Sequence, residues 1–537
     1  MPDRVYLDNF PQIPQANGEA APKANEAIDD RVNQGSFIIN FTGHGGEIGW
    51  MDEQVLDLFM IERWNNSFRL PLFVTATCEF SRHDDPRRIS GGERVVTNEN
   101  GGGIAIISTC RPVFANSNFE LNRSFYEYVF NKENGEYLRL GDIFRLTKNE
   151  SIDLAIDSKR VGNRNFALLG DPSLRLSYPE NEVVINSING LEVGADTLNS
   201  LSRNIIRGEI QDPSGSMDES FNGIVEVSVF DKEVQLTTLG NRNNIPFNYE
   251  SFENIIFKGE ASVINGEFEV EFQVPKNIAF RYGDGLITFY AKEENGIREA
   301  NGANNNIIVG GAADPEVIDN EGPEISLFME APFNERTRDI SHNTTLYANL
   351  IDESGINLSS FGTGNNITAE LDNDEVFVLN EFYTASQDTF QEGWVSFPLT
   401  NLSEGRHSIL FKASDTFNNS SEETIEFVVA NPQSLLITDL INRPNPFDEN
   451  TTFSFNHNRA GEDLEVNLQI FNRIGSKVLD YDFEIDNSEP RINLYNWSGE
   501  NLSGTKFESG IYLYKIIVRS KLDGAKSQEF QKLILFN

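Results

Sequence analysis

Two short apolar runs, Phe37 to Phe41 and Leu72 to Ala76, are rich in β-branched and aromatic residues and lie one helix-length connection apart. Such a pair predicts neighbouring parallel strands of a βαβ unit, whose C-terminal ends share one edge of a sheet. This fixes the class of the N-terminal part, because a parallel sheet needs crossover helices on its faces. The residues that close the runs carry the chemistry. Thr42-Gly43-His44-Gly45-Gly46 follows the first, and Thr77-Cys78-Glu79 follows the second, with Cys78 thirty-four residues after His44. Neighbouring strands lie about 4.8 Å apart, so an imidazole on one strand end and a thiol on the next can share one crevice.

That juxtaposition suits nucleophilic catalysis. A histidine can withdraw the thiol proton, the thiolate can attack a carbonyl, and the imidazolium can then protonate the leaving amine. Gly45 and Gly46 let the backbone approach a ligand, and the backbone N–H groups of Gly45 and Cys78 are candidate donors to an oxyanion. The competing reading is that Cys78 is a small core hydrophobe, the commonest fate of a lone cysteine in a strand. Trp50, Thr109 and Arg111 are candidates for substrate-pocket walls, and each could equally be packing or solvent-facing.

The other histidines and the second cysteine fit this site less well. His83 sits in the polar loop Ser81 to Pro86, where a solvated imidazole is expected. His342, His407 and His457 fall among β-strand patterns. Cys110 follows the predicted strand Ile104 to Ser108, which makes it a pocket-wall thiol or a disulfide partner for Cys78.

With 537 residues the chain accommodates about three to five domains. Residues 1–180 alternate strand and helix signals. The expected strands are Val5 to Leu7, Phe37 to Phe41, Leu72 to Ala76, Ile104 to Ser108, Phe166 to Leu169 and Leu174 to Leu176. Helices are expected over Ala21 to Val32, Asp52 to Trp64, Gly92 to Asn98, Asn118 to Phe130 and Leu140 to Ala155. Beyond Pro179 the period becomes two. Phe268, Val270, Phe272 and Val274 alternate with polar residues, as do Val225, Val227 and Val229, and turn clusters separate such runs. Three antiparallel β-sandwich modules in series are expected, over residues 181–320, 321–432 and 433–537.

Forty-three basic against eighty-three acidic residues leave a net charge of -40, which repels phosphate backbones and excludes sequence-independent nucleic-acid binding. Two cysteines cannot make a disulfide framework, so the β modules must hold by packing, for which forty phenylalanines are available. No apolar run approaches the twenty residues of a transmembrane helix, and the first thirty residues hold no apolar core of an export signal. The acidic loops Asp212 to Asp218 and Asp372 to Glu375 offer oxygen atoms to a hard cation, but lack the spacing of a dedicated calcium loop and read as solvated turns. No cofactor or metal is implied.

Asn40 to Gly46 (NFTGHGG) followed by Val74 to Arg82 (VTATCEFSR) resembles the histidine and cysteine blocks of the gingipain-type cysteine peptidases, relatives of the caspases. Val5 to Gln12, Gly101 to Thr109 and Ala167 to Leu176 are similar to further blocks of that family. Phe221 to Lys232, Asp352 to Asn357 and Pro444 to Phe447 extend the resemblance to its type IX secretion sortases, specifically to their C-terminal half. The resemblance implies a multidomain chain, with a partial caspase/gingipain-like α/β catalytic domain followed by three Ig-like modules, the last being sorting-like. His44 and Cys78 would be the catalytic dyad. It further implies action at the cell surface, on the outer face of the outer membrane. The substrates would be cargo proteins carrying a C-terminal sorting domain, transferred to an amine of anionic lipopolysaccharide, with an outer-membrane partner of the PorV type. The export signal and first catalytic strands of that family are expected to be missing from this chain. A secreted protease that only hydrolyses, and a non-catalytic surface scaffold or adhesin, are the alternatives.

Overall fold

The computed structural model describes residues 3–15, 18–153, 159–294, 296, 298–313, 318–329, 339–362, 364–400, 402–429, 435–473, 475–500 and 506–536. The N-terminal part is built on a four-stranded sheet in the order Phe166–Leu169, Ala105–Thr109, Leu72–Ala76, Ile38–Thr42. The last three strands are mutually parallel, and Phe166–Leu169 runs antiparallel to Ala105–Thr109. Every residue of the two central strands is buried, as expected for strands covered on both faces. The period-two alternation divides their side chains between two cores. Phe73 and Ile106 pack with Trp50, Trp64 and Val95 on one side, while Leu72, Val74, Ala105 and Ile107 meet Leu121, Phe125 and Ile143 on the other.

Three of the expected elements differ. Val5 to Leu7 is not a strand, because its polar groups go elsewhere: Asp8 accepts from the backbones of Gly240 (2.9 Å) and Asn241 (2.7 Å), and Tyr6 packs edge-on against Tyr249. Asp52 to Trp64 is not one helix. Met51 and Gln54 take positive φ, which breaks helical propagation, and Leu56-Asp57 instead adds a strand to the hairpin of Gly45-Gly46 and Gly49-Trp50. The helix is only Leu58–Arg63, capped by Asp57 accepting from the Met60 N–H at 2.8 Å. Leu174 to Leu176 is not a closing strand; the carbonyls of Leu174 and Pro172 accept the first N–H groups of helix Leu140–Asp153, each at 2.8 Å. Residues 154–155 of that expected helix lie outside the described residues, as does the Asn431-Pro432 boundary.

The remaining chain is almost wholly strand. Strands between Asn181 and Ala312 form one sheet with strands between Glu324 and Leu399, joined where Gly259 pairs with Ala385. Gly259 is required there, since a Cβ would lie 2.9 Å from that of Ala385. One hydrophobic cluster runs from Val183 to Val429, whereas Leu435 to Leu535 form a separate one. Among the described residues no helix is long and apolar enough to cross a membrane.

The acidic loop at Asp372 serves a histidine. His407 Nδ1 meets Asp372 at 2.6 Å and Nε2 meets the Ser403 carbonyl at 2.7 Å. Only the imidazolium donates from both nitrogens. Burial opposes the charge, but the Ser403 carbonyl and the Asp372 carboxylate outweigh it and the pKa is raised. The folded state therefore holds its proton to higher pH than the unfolded chain. This contribution is complete below about pH 6.5 and disappears as pH rises through the elevated folded value. Urea midpoints of the wild type and His407→Gln, compared from about pH 5.5 to 8.5, should show the wild-type advantage shrinking as pH rises.

Candidate active site

The register of the parallel strands sets the site. Thr42 pairs with Ala76, so His44 and Cys78 each stand two residues beyond a matched pair, at the same sheet edge. The Gly43 N–H reaches the Ala76 carbonyl at 3.4 Å, extending the ladder one step. The cysteine loop is tied to the third strand, since the Thr109 hydroxyl donates to the Thr77 carbonyl and the Ser81 N–H to the Thr109 carbonyl (2.9 Å). The histidine loop lies directly on it. A Cβ on Gly45 would fall 2.4 Å from the Thr77 hydroxyl oxygen, a separation no side chain tolerates.

Charges join the two loops as well. Glu47, three residues past His44, accepts from Arg82 (2.6 Å) and pairs with Arg88 (2.9 Å), while its carbonyl accepts the Gly91 N–H at 2.7 Å. Arg82 also pairs with Glu79 at 3.1 Å. Glu79 has φ 57, so the chain turns sharply just after the sulfur. His44 is exposed and Cys78 half-buried. The Cys78 sulfur accepts the Val113 N–H at 3.5 Å and lies 3.6 Å from the Val113 carbonyl. The thiol turns to Val113, with no hydrogen bond to His44.

Residues 1–177 match the description of peptidase family C25. This part of the chain is a C25 peptidase domain. Among solved structures, the chain is similar to dimeric latent PorU from Porphyromonas gingivalis, with 30% identity over 76% of this chain and 38% of that one, TM-score 0.32. It is also similar to the Arg-specific cysteine proteinase gingipain R, with 15% identity over 52% of this chain and 56% of that one, TM-score 0.27. The chain thus spans less than two thirds of either. No curated protein matches it.

Within the C25 domain the weaker site candidates separate. Trp50, expected as a pocket wall, is 2% exposed and stacked on Phe41 with ring centroids 4.2 Å apart, so it supports the histidine hairpin from below. Thr109 is fully buried and anchors the cysteine loop. Neither can touch a substrate. Arg111 is exposed, with its guanidinium on Asp84 (2.8 Å) and on the Cys110 carbonyl (2.6 Å). His83 is exposed, its Nδ1 meeting the Ser81 carbonyl of its own loop at 2.9 Å. Cys78 and Cys110 are both free thiols, and the Cys110 sulfur turns to the Asn165 carbonyl at 3.2 Å.

A groove of about 650 Å³ opens beside His44, walled by Gly46, Ile48, Met51, Leu58 and Phe59. Cys78 lies outside its walls. Ile48 and Phe59 are 50% and 65% exposed, unusual for large apolar side chains next to an imidazole. Sequence reasoning missed Phe59, because Asp52 to Trp64 reads as one helix and only Leu58–Arg63 is helical. The Asp57 cap was the available signal that the helix starts later.

Proposed function

We propose that this chain is a cysteine endopeptidase of the PorU kind, acting at the outer face of the outer membrane. It removes the C-terminal sorting domain of cargo proteins and passes the new carboxyl terminus to an amine of anionic lipopolysaccharide, with a PorV-type protein as its membrane partner. The observation that carries the reading is the Thr42–Ala76 register, which brings His44 and Cys78 to one sheet edge within a C25 domain.

In this mechanism His44 takes the thiol proton and the Cys78 sulfur bonds to the scissile carbonyl carbon, with the oxyanion facing the N–H groups of Gly45 and Cys78. The C–N bond breaks, His44 returns the proton to the leaving amine, and a thioester remains. Water converts the thioester to a carboxylate, whereas an amine converts it to an amide; both release the thiol. The exposed apolar walls of the groove suit a peptide strand with apolar side chains. Incubating the chain with a cargo C-terminal peptide and a primary amine, then weighing the products, tests the proposal. Amide products are expected. Carboxylate alone would leave the purely hydrolytic protease, and a thiol probe labelling Cys78 no faster than Cys110 would favour a non-catalytic scaffold.

A further inference from the structure

Outside residues 1–177, three buried carboxylates converge. Asp319 lies between strands Glu299–Ala312 and Glu324–Met329, Asp352 directly follows Thr344–Ile351, and Asp415 directly follows Gly405–Ser414. They are 6%, 7% and 0% exposed, and one oxygen of each lies within 4.8 Å of the others. Among the described residues, no lysine, arginine or histidine is ion-paired with any of them.

Their hydrogen bonds leave one buried oxygen without a partner. Asp415 accepts from the Asn419 backbone (2.7 Å) and side-chain amide (2.6 Å). One oxygen of Asp352 accepts from the Ser354 N–H (2.8 Å) and hydroxyl (2.7 Å), and one of Asp319 accepts the Glu321 N–H (3.0 Å). The second oxygen of Asp319 is buried with no partner. Three carboxylates held this close out of water shed their mutual repulsion either by taking up protons or by holding a cation between them.

We propose that Asp319, Asp352 and Asp415 bind a divalent cation of the calcium class, with the unpartnered Asp319 oxygen as one ligand. All the donors are hard oxygens, which excludes a soft-metal site. Oxygens on a common calcium ion, each bonded at about 2.4 Å, lie at most about 4.8 Å apart, so these three can share one, whereas magnesium dehydrates reluctantly and usually keeps several waters. The ion would fasten the linker at Asp319 to two strand ends of the second β unit. The first β unit meets this corner too, with Gln273 donating to the Thr416 hydroxyl at 3.1 Å and Lys276 N–H to the Thr416 carbonyl at 2.8 Å. The site therefore stiffens the junction of the two units.

The test is thermal unfolding of the full chain in EGTA and across about 10 µM to 5 mM calcium, bracketing the affinities usual for extracellular modules. Calcium should raise the melting temperature of the wild type, and magnesium at equal concentration should do so far less. Asp319→Asn removes one of the crowded charges. It should melt above the wild type in EGTA but below it in calcium, with calcium affinity weakened at least about ten-fold. A purely structural aspartate would give no such reversal. A wild-type melting temperature indifferent to calcium, an equal response to magnesium, or a variant lower in both conditions would overturn the proposal. Should Asp319→Asn not fold, Asp352→Asn is read by the same criteria.

Discussion

Cys78→Ala should lose about 10⁵-fold or more in kcat for peptide cleavage and form no thioester with a trapping substrate. Nothing else on the sheet edge can replace the sulfur. Cys110, the second thiol, is turned to the Asn165 carbonyl, and among the described residues of the histidine hairpin and cysteine loop no other thiol occurs. The fold should barely register the change. Cys78 is half-buried and its recorded contacts are two long ones to the Val113 backbone, so removing one sulfur atom should cost no more than about 1 kcal/mol in urea titrations. Cleavage persisting near the wild-type rate in a well-folded Cys78→Ala chain would mean that the thiol is not the nucleophile.

Gly45→Ala should lower kcat/KM by about 10²-fold, the cost of displacing a catalytic group by around 1 Å. Its new methyl would sit 2.4 Å from the Thr77 hydroxyl oxygen and 3.0 Å from the Gly49 carbonyl oxygen, so the hairpin must lift and carry His44 with it. Two controls make the measurement specific. Gly46→Ala has nothing within 4 Å of the added carbon and should be nearly silent. Thr77→Ala removes a hydroxyl that is buried without a hydrogen-bond partner, so the double variant Gly45→Ala/Thr77→Ala should recover part of the lost activity. If Gly45→Ala keeps full activity, or the double variant is no better than the single one, the close seating of the two loops has no bearing on catalysis.

The paired strands and the residues that end them were legible because continuous β-branched runs have few alternatives once a crossover helix separates them. Trp50 and Thr109 were misplaced for a common reason. Both neighbour the candidate crevice in sequence, but alternation turned them inward, and only tertiary register reveals which way a side chain points. The split of Asp52 to Trp64 depended on left-handed backbone at Met51 and Gln54, for which neither residue type gives a signal. The carboxylate cluster was invisible to spacing, because Asp319, Asp352 and Asp415 come from three connections that only the β topology assembles. The loops that did look acidic, at Asp212 and Asp372, turned out to bond their own serines and a histidine.

Because a single apolar interior extends from Val183 to Val429, the two stretches that contribute to it cannot be inherited or expressed apart. A chain ending near residue 320 would lose Tyr383, Ala385 and Val395 from that interior and leave the strand at Gly259 without its neighbour, and such a product should aggregate. The tail from Leu435 onward is under no such tie, so evolution is free to exchange or discard it without unravelling what precedes it.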